Sequence, residues 1–187
     1  PTPEDATPEV TPTPQPTPTP QPSFNTSAFR QTFANEVNEA RSEGNISSLE
    51  YREDWQSVAD ATAEDLAEER AFQNNIIDSQ EFNATYRLEE EGYSCSIEAN
   101  ERIHSAGSVS AYNWINTRVD TTTDGARYFT SEEELAKFMA NRQMLSVQNE
   151  TKQVETREIV YRDYSKYHTV GVHVNDESRV WLNYIVC

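Results

Sequence analysis

The sequence is poor in positive charge. Its 187 residues include 15 Lys and Arg against 32 Asp and Glu, a formal net charge of −17. Because so acidic a surface repels phosphates, we expect neither nucleic acid nor an anionic membrane as a partner. Lysine occurs only at Lys137, Lys152 and Lys166. Abundant carboxylates with few lysines favour a halophilic source, although some proteins are acidic for reasons unrelated to salt.

Glycine, cysteine and long apolar runs are also scarce. The 5 glycines are not clustered, which excludes the glycine-rich loops that hold phosphates. No apolar run approaches the about 20 residues that cross a bilayer, so no membrane span is expected. The two cysteines, Cys95 and Cys187, are either free buried thiols or one disulfide. We expect the disulfide, because a cysteine as the last residue is an unusual buried thiol and the N-terminal composition is typical of exported chains.

Residues 1–23 form a low-complexity segment that precedes one domain, residues 24–187. Over Thr11–Pro22, proline alternates with Thr or Gln. Because proline fixes φ and biases the residue before it towards extended backbone, we expect a polyproline II tail without a core of its own. The tail is either a solvated spacer or a docking strand that orders against another subunit through residues 1–22. No signal peptide is found, as expected if an earlier one has been cleaved.

Apolar residues recur at helical spacing in four segments, and capping residues mark their ends. The pattern predicts a helix over 27–42 between Ser27 and Gly44, a second over 52–71, a third that starts at the capping box Asp78 to Glu81 and stops at Gly92, and a fourth capped by Thr130 to Glu133. The segment 146–160 is also predicted to be helical, although its periodicity is poor.

The C-terminal stretch predicts a β-hairpin, with strands at 167–174 and 179–187 and a turn at 175–178. The second strand is apolar on both faces, so we expect it at the centre of a sheet that helices cover on both sides. Further strands are predicted at 93–97 and 109–119, followed by a turn at 121–125. The order of elements predicts an α+β fold: a three-layer α/β/α sandwich with a central, mainly antiparallel sheet.

Several short phrases in residues 29–187 resemble the CAP superfamily, the domain of cysteine-rich secretory, antigen 5 and pathogenesis-related 1 proteins. They are Val37-Asn-Glu-Ala-Arg41, Leu49-Glu-Tyr51, Trp55-x-x-Val58-Ala59, Val170-Gly-Val172-x-Val174, and Tyr86-Arg87 with Gly92-Tyr93-x-Cys95 and a final cysteine. The last set resembles prokaryotic, especially haloarchaeal, members. The resemblance implies an α/β/α sandwich and an exported protein that is extracellular or on the cell surface.

The resemblance also implies a cleft in which two histidines and two acidic residues hold a metal ion. In this chain, Asn113 falls where the family glutamate is expected and Thr156 where a histidine is expected. No histidine lies between the second helix and Cys95. We therefore expect a degenerate tetrad, no catalytic residue, no metal and no cofactor.

The three histidines of the sequence do not restore such a site. His168 and His173 are five residues apart, so on a regular strand they face opposite sides. His104 is expected at the surface of a polar loop, beside Glu98 and Glu101. The spacing therefore argues against a two-histidine metal site.

Two further patterns concern the surface. Glycosylation sequons begin at Asn25, Asn45, Asn83 and Asn149, near predicted loops or helix ends. The aromatic residues Tyr112, Trp114, Tyr161 and Tyr164 either fill the sandwich or form an interface, for which Tyr and Trp are well suited.

The sequence predicts a secreted, non-enzymatic CAP-like binding or structural domain on a Pro/Thr spacer. Its expected partners are proteins, or further copies of itself in an extracellular surface assembly or filament. The alternative is an exported CAP-type hydrolase, or a small-molecule or lipid-binding module with a rearranged cleft. An apolar pocket lined by residues from 76–88 and 135–147 would favour the lipid-binding alternative.

Overall fold

The structure, a computed structural model, describes residues 24–121, 125–144 and 158–187. Its helices are α1 (Thr26–Glu43), α2 (Gln56–Glu68), α3 (Ala71–Asn74), α4 (Ala84–Glu90) and α5 (Glu132–Phe138), which continues as a π-helix over Met139–Met144. Its strands are β1 (Glu50–Tyr51), β2 (Ile97–Ala99), β3 (Arg102–His104), β4 (Gly107–Trp114), β5 (Arg118–Thr121), β6 (Gly125–Tyr128), β7 (Tyr167–Val174) and β8 (Arg179–Val186). Short 3-10 helices at Glu53–Trp55 and Gln80–Phe82 precede α2 and α4.

Four strands form the central sheet in the order β1-β7-β8-β4. The pair β1–β7 is parallel, whereas β7–β8 and β8–β4 are antiparallel. The predicted C-terminal hairpin is therefore confirmed, and it lies at the centre of the sheet. Two small antiparallel ribbons, β2–β3 and β5–β6, lie outside this sheet.

The two faces of β8 divide the core into layers, as its alternation predicts. Val180, Leu182 and Tyr184 pack with the apolar residues of α1 and α5, in the cluster that we call the α1 side. Trp181 and Ile185 pack in two clusters with residues of α2, α3 and α4, which together we call the α2 side. Helices thus cover both faces of the sheet, and the predicted α+β three-layer sandwich is confirmed.

Close contact between α2 and the sheet depends on Gly171. A Cβ atom at this position would lie 2.0 Å from the backbone carbonyl carbon and oxygen of Ala59. The backbone of α2 therefore packs directly on β7, and any side chain at residue 171 would push the two layers apart.

Three of the predicted helix starts are wrong by a few residues. The N-caps are Asn25, Asn83 and Ser131, rather than Ser27, Asp78 and Thr130. Each accepts a hydrogen bond from the backbone N–H three residues further on. Since each region contains several Asn, Asp, Ser or Thr residues, only the backbone geometry decides which one caps the helix.

Left-handed backbone interrupts two predicted elements. The helix predicted over 52–71 breaks at Arg70, where φ is 49°. The strand predicted over 109–119 divides after Trp114, since Asn116 has a φ of 56°. The strand predicted over 93–97 is also wrong, because β2 begins only at Ile97. Within 146–160 only 158–160 are described, and they are helical.

The predicted disulfide joins Cys95 to Cys187 across a sequence separation of 92. Both cysteines are buried beside Trp55 and Ile185 on the α2 side. The bridge ties the end of the central strand to the segment that follows α4. None of the described helices is long and apolar enough to cross a membrane.

Candidate binding surface

Aromatic rings and one arginine gather where β4, β8 and α3 meet. We call this set the aromatic–arginine cluster: Phe72, Tyr112, Trp114, Arg179 and Trp181. Strand pairing forms it, because Tyr112 lies directly opposite Trp181, and Trp114 opposite Arg179, in the β4–β8 register. Residues two apart on a strand share a face, so all four side chains lie on the α2 side of the sheet.

The rings of the cluster are in contact with one another. The Tyr112 ring centroid lies 4.8 Å from that of Trp181, 5.1 Å from that of Phe72 and 5.5 Å from that of Trp114. The Arg179 guanidinium carbon lies 4.9 Å from the Trp114 ring and 5.3 Å from the Tyr112 ring. Trp181 is buried, whereas Tyr112 and Trp114 are half-buried. The cluster therefore spans from the core to the surface.

Two hydrogen-bond donors in the cluster have no acceptor among the described residues. They are Nε of Arg179 and Nε1 of Trp181, and both atoms are buried. Arg179 uses Nη2 instead, 3.4 Å from the Glu177 carboxylate. An unpaired buried donor destabilises the fold unless a ligand or partner supplies an acceptor. This feature is typical of a surface that serves binding more than stability.

A cleft of about 580 Å³ opens beside the cluster. It lies between the start of α3 and the β7–β8 turn, and Arg179 forms part of its wall. The other lining residues include Arg70, Asn74, His173, Asp176 and Glu177. The wall of the cleft thus carries both cationic and carboxylate side chains next to Arg179.

The four aromatic residues predicted as an interface fall in different places. Tyr112 and Trp114 belong to the cluster. Tyr161 is half-buried and packs against the α1 side. Tyr164 stacks on His104, with ring centroids 4.0 Å apart, and borders a separate cleft of about 470 Å³. The sequence pattern did not indicate that Arg179 and Phe72 join Tyr112, since this depends on how α3 and two distant strands pack.

A third cleft, of about 430 Å³, lies between α1, β1 and the start of α2. We call it the α1–β1 cleft. Its lining residues are Ser27, Arg30, Gln31, Ala34, Asn35, Asn38, Leu49, Tyr51, Glu53, Gln56 and His168. His168 is only 1% exposed, so it forms the buried end of the cleft.

Burial controls the charge of His168. Desolvation, followed by the nearby Arg41 guanidinium, lowers the pKa of the imidazole from 6.5 to about 4. The ring is therefore neutral near pH 7. Its Nδ1 lies 2.9 Å from the Tyr184 hydroxyl, and burial raises the pKa of Tyr184 well above its usual range. The pair is an uncharged hydrogen bond inside the α1 side.

An ion pair covers the part of β7 that the short strand β1 leaves unpaired. Arg30 makes two hydrogen bonds to Asp60, at 2.7 and 2.8 Å. Arg30 also donates to the Val170 carbonyl, and Asp60 accepts from the Val172 N–H. The two side chains thereby satisfy an open sheet edge and link α1 to α2.

The residues matched to the family tetrad do not converge on a site in the described residues. Asn113 is buried, and its side chain accepts a hydrogen bond from the Trp114 N–H. Thr156 lies outside the described residues. Nowhere in 24–121, 125–144 and 158–187 do three His, Cys, Asp or Glu side chains come close enough to hold a metal ion.

The histidines occupy separate surroundings. His168 is buried and His173 is half-buried beside Arg70 in another cleft, on opposite faces of β7 as predicted. The prediction for His104 is wrong: it ends β3, is half-buried, and hydrogen-bonds the Ala99 carbonyl.

Three of the four sequon asparagines are exposed in the structure: Asn25, Asn45 and Asn83. Asn25 and Asn83 cap helices through their side-chain oxygen. The amide nitrogen, to which a glycan would attach, is not used in these caps. Asn149 lies outside the described residues, and glycosylation at all four remains a prediction.

No family model and no curated protein matches the chain. A solved structure that it resembles is an extracellular protein containing an SCP domain from Bacillus anthracis str. Ames. The two chains are 15% identical, with a TM-score of 0.48 over 85% of this chain. This chain spans 40% of that protein.

Proposed function

We propose that this chain is an extracellular CAP-like domain that binds protein through the aromatic–arginine cluster and carries out no reaction of its own. The observation that carries the proposal is the stacking of Arg179 on Trp114 and Tyr112 at a half-buried surface. Trp, Tyr and Arg are the residue types that contribute most to interface hot spots. Strand pairing fixes the rings before binding, so little conformational entropy is lost when a partner docks.

The disulfide is consistent with an extracellular location, where such bonds persist. The absence of catalysis rests on the chemistry of Asn113, which stands where the family resemblance places a glutamate. Its amide does not ionise at neutral pH, and its oxygen is already used by the Trp114 N–H. It is therefore unsuited to act as a general base or as a charged metal ligand.

The partner that best fits the cluster is the proline-rich tail of a second copy. Proline-rich segments form polyproline II helices with little entropy left to lose, and they dock on aromatic surfaces. Residues 1–22 have this composition, and at about 3.1 Å per residue they would reach about 70 Å. Repeated docking of each tail on the next domain would build an extracellular assembly.

The proposal is tested by replacing Trp114 in the full chain. Trp114→Ser removes the more exposed indole of the cluster and leaves buried Trp181 in place. We expect self-association, measured by analytical ultracentrifugation in high salt, to weaken by roughly tenfold or more. Tyr86→Ser is the matched control, since Tyr86 is 37% exposed on α4, outside the cluster. The proposal would be contradicted if both variants lost self-association to the same extent, or if the full chain stayed monomeric at every concentration.

Among the described residues, the three clefts above draw on neither 76–88 nor 135–144, where the lipid-binding alternative places its pocket. Residues 145–147 of that pocket lie outside the described residues.

A further inference from the structure

The α1–β1 cleft ends at His168, whose imidazole is hydrogen-bonded on one side only among the described residues. Among the described residues, the Tyr184 hydroxyl and His168 Nδ1 have only each other as hydrogen-bond partners. If Nδ1 carried the proton, the hydroxyl proton of Tyr184 would have no acceptor. The pair is satisfied only when Tyr184 donates and Nδ1 accepts, and a neutral imidazole then carries its single proton on Nε2. The geometry therefore assigns an N–H donor to Nε2 of His168.

No hydrogen bond joins this Nε2–H to a described residue, and Nε2 is not one of the buried side-chain atoms that lack a partner, so it opens onto the cleft that His168 lines. An acceptor atom of a ligand in the cleft can therefore take the place of water at this donor. The imidazole is held in place by Tyr184 on one side. The Tyr51 ring meets it edge-on on another, with centroids 5.4 Å apart. The donor is thus oriented before any ligand arrives.

Amide side chains surround the entrance of the cleft. Gln31 and Asn35 are exposed and lie one turn apart on α1, and their side-chain amides make no hydrogen bond to other described residues. Gln56 faces them from the start of α2, where its Oε1 lies 3.3 Å from the Tyr51 hydroxyl. Each amide offers both donors and an acceptor, the combination that a ligand hydroxyl group needs.

The charges around the cleft disfavour an ionic ligand. Arg30 is matched by Asp60 through two short hydrogen bonds, so its charge is already neutralised. Glu53 and the net charge of −17 repel an anion. A cation would be attracted by Glu53, but at the buried end of the cleft it would face the Nε2–H of His168, which offers it no lone pair. The remaining class is a neutral ligand rich in hydroxyl groups.

We propose that the α1–β1 cleft binds a neutral carbohydrate, whose hydroxyl or ring oxygen accepts from Nε2 of His168 while Gln31, Asn35 and Gln56 bind neighbouring hydroxyl groups. The Tyr51 ring supplies the apolar contact. The volume of about 430 Å³ lies in the range of small-molecule sites, about 300–1,000 Å³, and has room for a sugar unit. The α1–β1 cleft is separate from the aromatic–arginine cluster. The carbohydrate proposal and the protein-binding proposal can therefore be contradicted independently of each other.

The test is an NMR titration of the full, 15N-labelled protein. The probes are the methyl glycosides of glucose, galactose, mannose and N-acetylglucosamine, with glucuronic acid as an anionic comparison. We expect at least one neutral glycoside to shift the His168 Nε2 signal and the Gln31 and Asn35 side-chain amides saturably. Gln31→Ala and Asn35→Ala should each weaken that binding by about three- to tenfold. Because both residues are exposed, neither variant should impair folding.

Gln73→Ala is the matched control, since it removes an exposed helical glutamine beside the cleft at Arg179. It should leave the affinity unchanged. The proposal is overturned if no neutral glycoside gives a saturable shift at these signals, if glucuronic acid alone binds, or if the double Gln31 and Asn35 variant binds as well as the wild type.

Discussion

The two faces of strand β8 differ in how completely their polar groups are paired. On the α1 side, Tyr184 is hydrogen-bonded to His168, and Arg41, although buried, donates to backbone carbonyls including those of Ser47 and Val160. On the α2 side, Nε of Arg179 and Nε1 of Trp181 lack acceptors among the described residues. These hydrogen bonds stabilise the α1 side within the domain. On the α2 side, these unpaired donors lower the stability of the fold next to a surface that can receive a partner.

Removal of the disulfide should have the largest effect, and it acts on the α2 side. Replacing Cys95 and Cys187 together by Ser releases a loop of 92 residues. In the chain-entropy model, this costs about 4–5 kcal/mol of unfolding free energy. Urea unfolding measures the loss. Intact mass on reduction provides the control, since a bridged protein gains two hydrogens and an unbridged one gains none.

Gly171→Ala should have the next largest effect, because α2 packs on the sheet at this residue. The new Cβ would meet the Ala59 carbonyl group 2.0 Å away. We expect a loss of about 3 kcal/mol or more in unfolding free energy. Gly92→Ala is the control, since no atom lies within 4 Å of its Cβ and only its φ of 79° is strained. Equal stability of wild type and Gly171→Ala would show that the two layers are not in direct contact.

The stability of the fold should depend on pH through the protonation of His168 on the α1 side. The folded protein holds this pKa at about 4, against 6.5 for an unperturbed histidine. Between these values the unfolded chain binds a proton that the folded chain does not, so stability falls as pH decreases from 6.5 to 4. The contribution reaches about 3 kcal/mol. Arg41, Tyr51 and Tyr184 are the charged or titratable groups that face the ring.

His168→Asn keeps a hydrogen-bond acceptor for Tyr184 but cannot titrate in this range. Its unfolding free energy, measured between pH 7 and pH 4, should depend less on pH than that of the wild type. Parallel curves for the two proteins would show that His168 is not buried in its neutral form.

Salt concentration should have the smallest effect on stability, and this effect should not differ between the α1 side and the α2 side. If the net charge of −17 reflects a halophilic source, stability should increase between low and molar salt as carboxylate repulsion is screened. Urea unfolding at the two salt concentrations measures this. A protein equally stable in both would leave the acidity without that explanation.

Local patterns predicted the centre of the fold well. The strands Tyr167–Val174 and Arg179–Val186 follow from apolar residues on alternate positions of the first strand and on both faces of the second, around a turn that contains Asn, Asp and Ser. Helix starts were less accurate, because Asn25 and Ser27 are both good N-caps. The break at Arg70 had no sequence signal, since left-handed backbone at an arginine is set by packing.

The candidate sites were only partly predictable. Tyr112 and Trp114 stood out as large aromatic residues on one strand. Their partner Arg179 emerges only from the β4–β8 register, which joins residues more than sixty positions apart. The α1–β1 cleft draws on α1, β1, α2 and β7, and no sequence motif connects these elements. The tertiary arrangement, rather than any local phrase, creates both sites.

The most direct test of the central claim is the solution mass of the full chain beside a version that lacks residues 1–22, in high salt. The account predicts that the full chain assembles, that the truncated chain stays monomeric, and that a synthetic peptide of residues 11–22 dissociates the assembly by occupying the aromatic–arginine cluster. If the full and the truncated chain were both monomeric, or formed assemblies of the same size, the account would be contradicted. The tail would then have no part in joining one copy to the next.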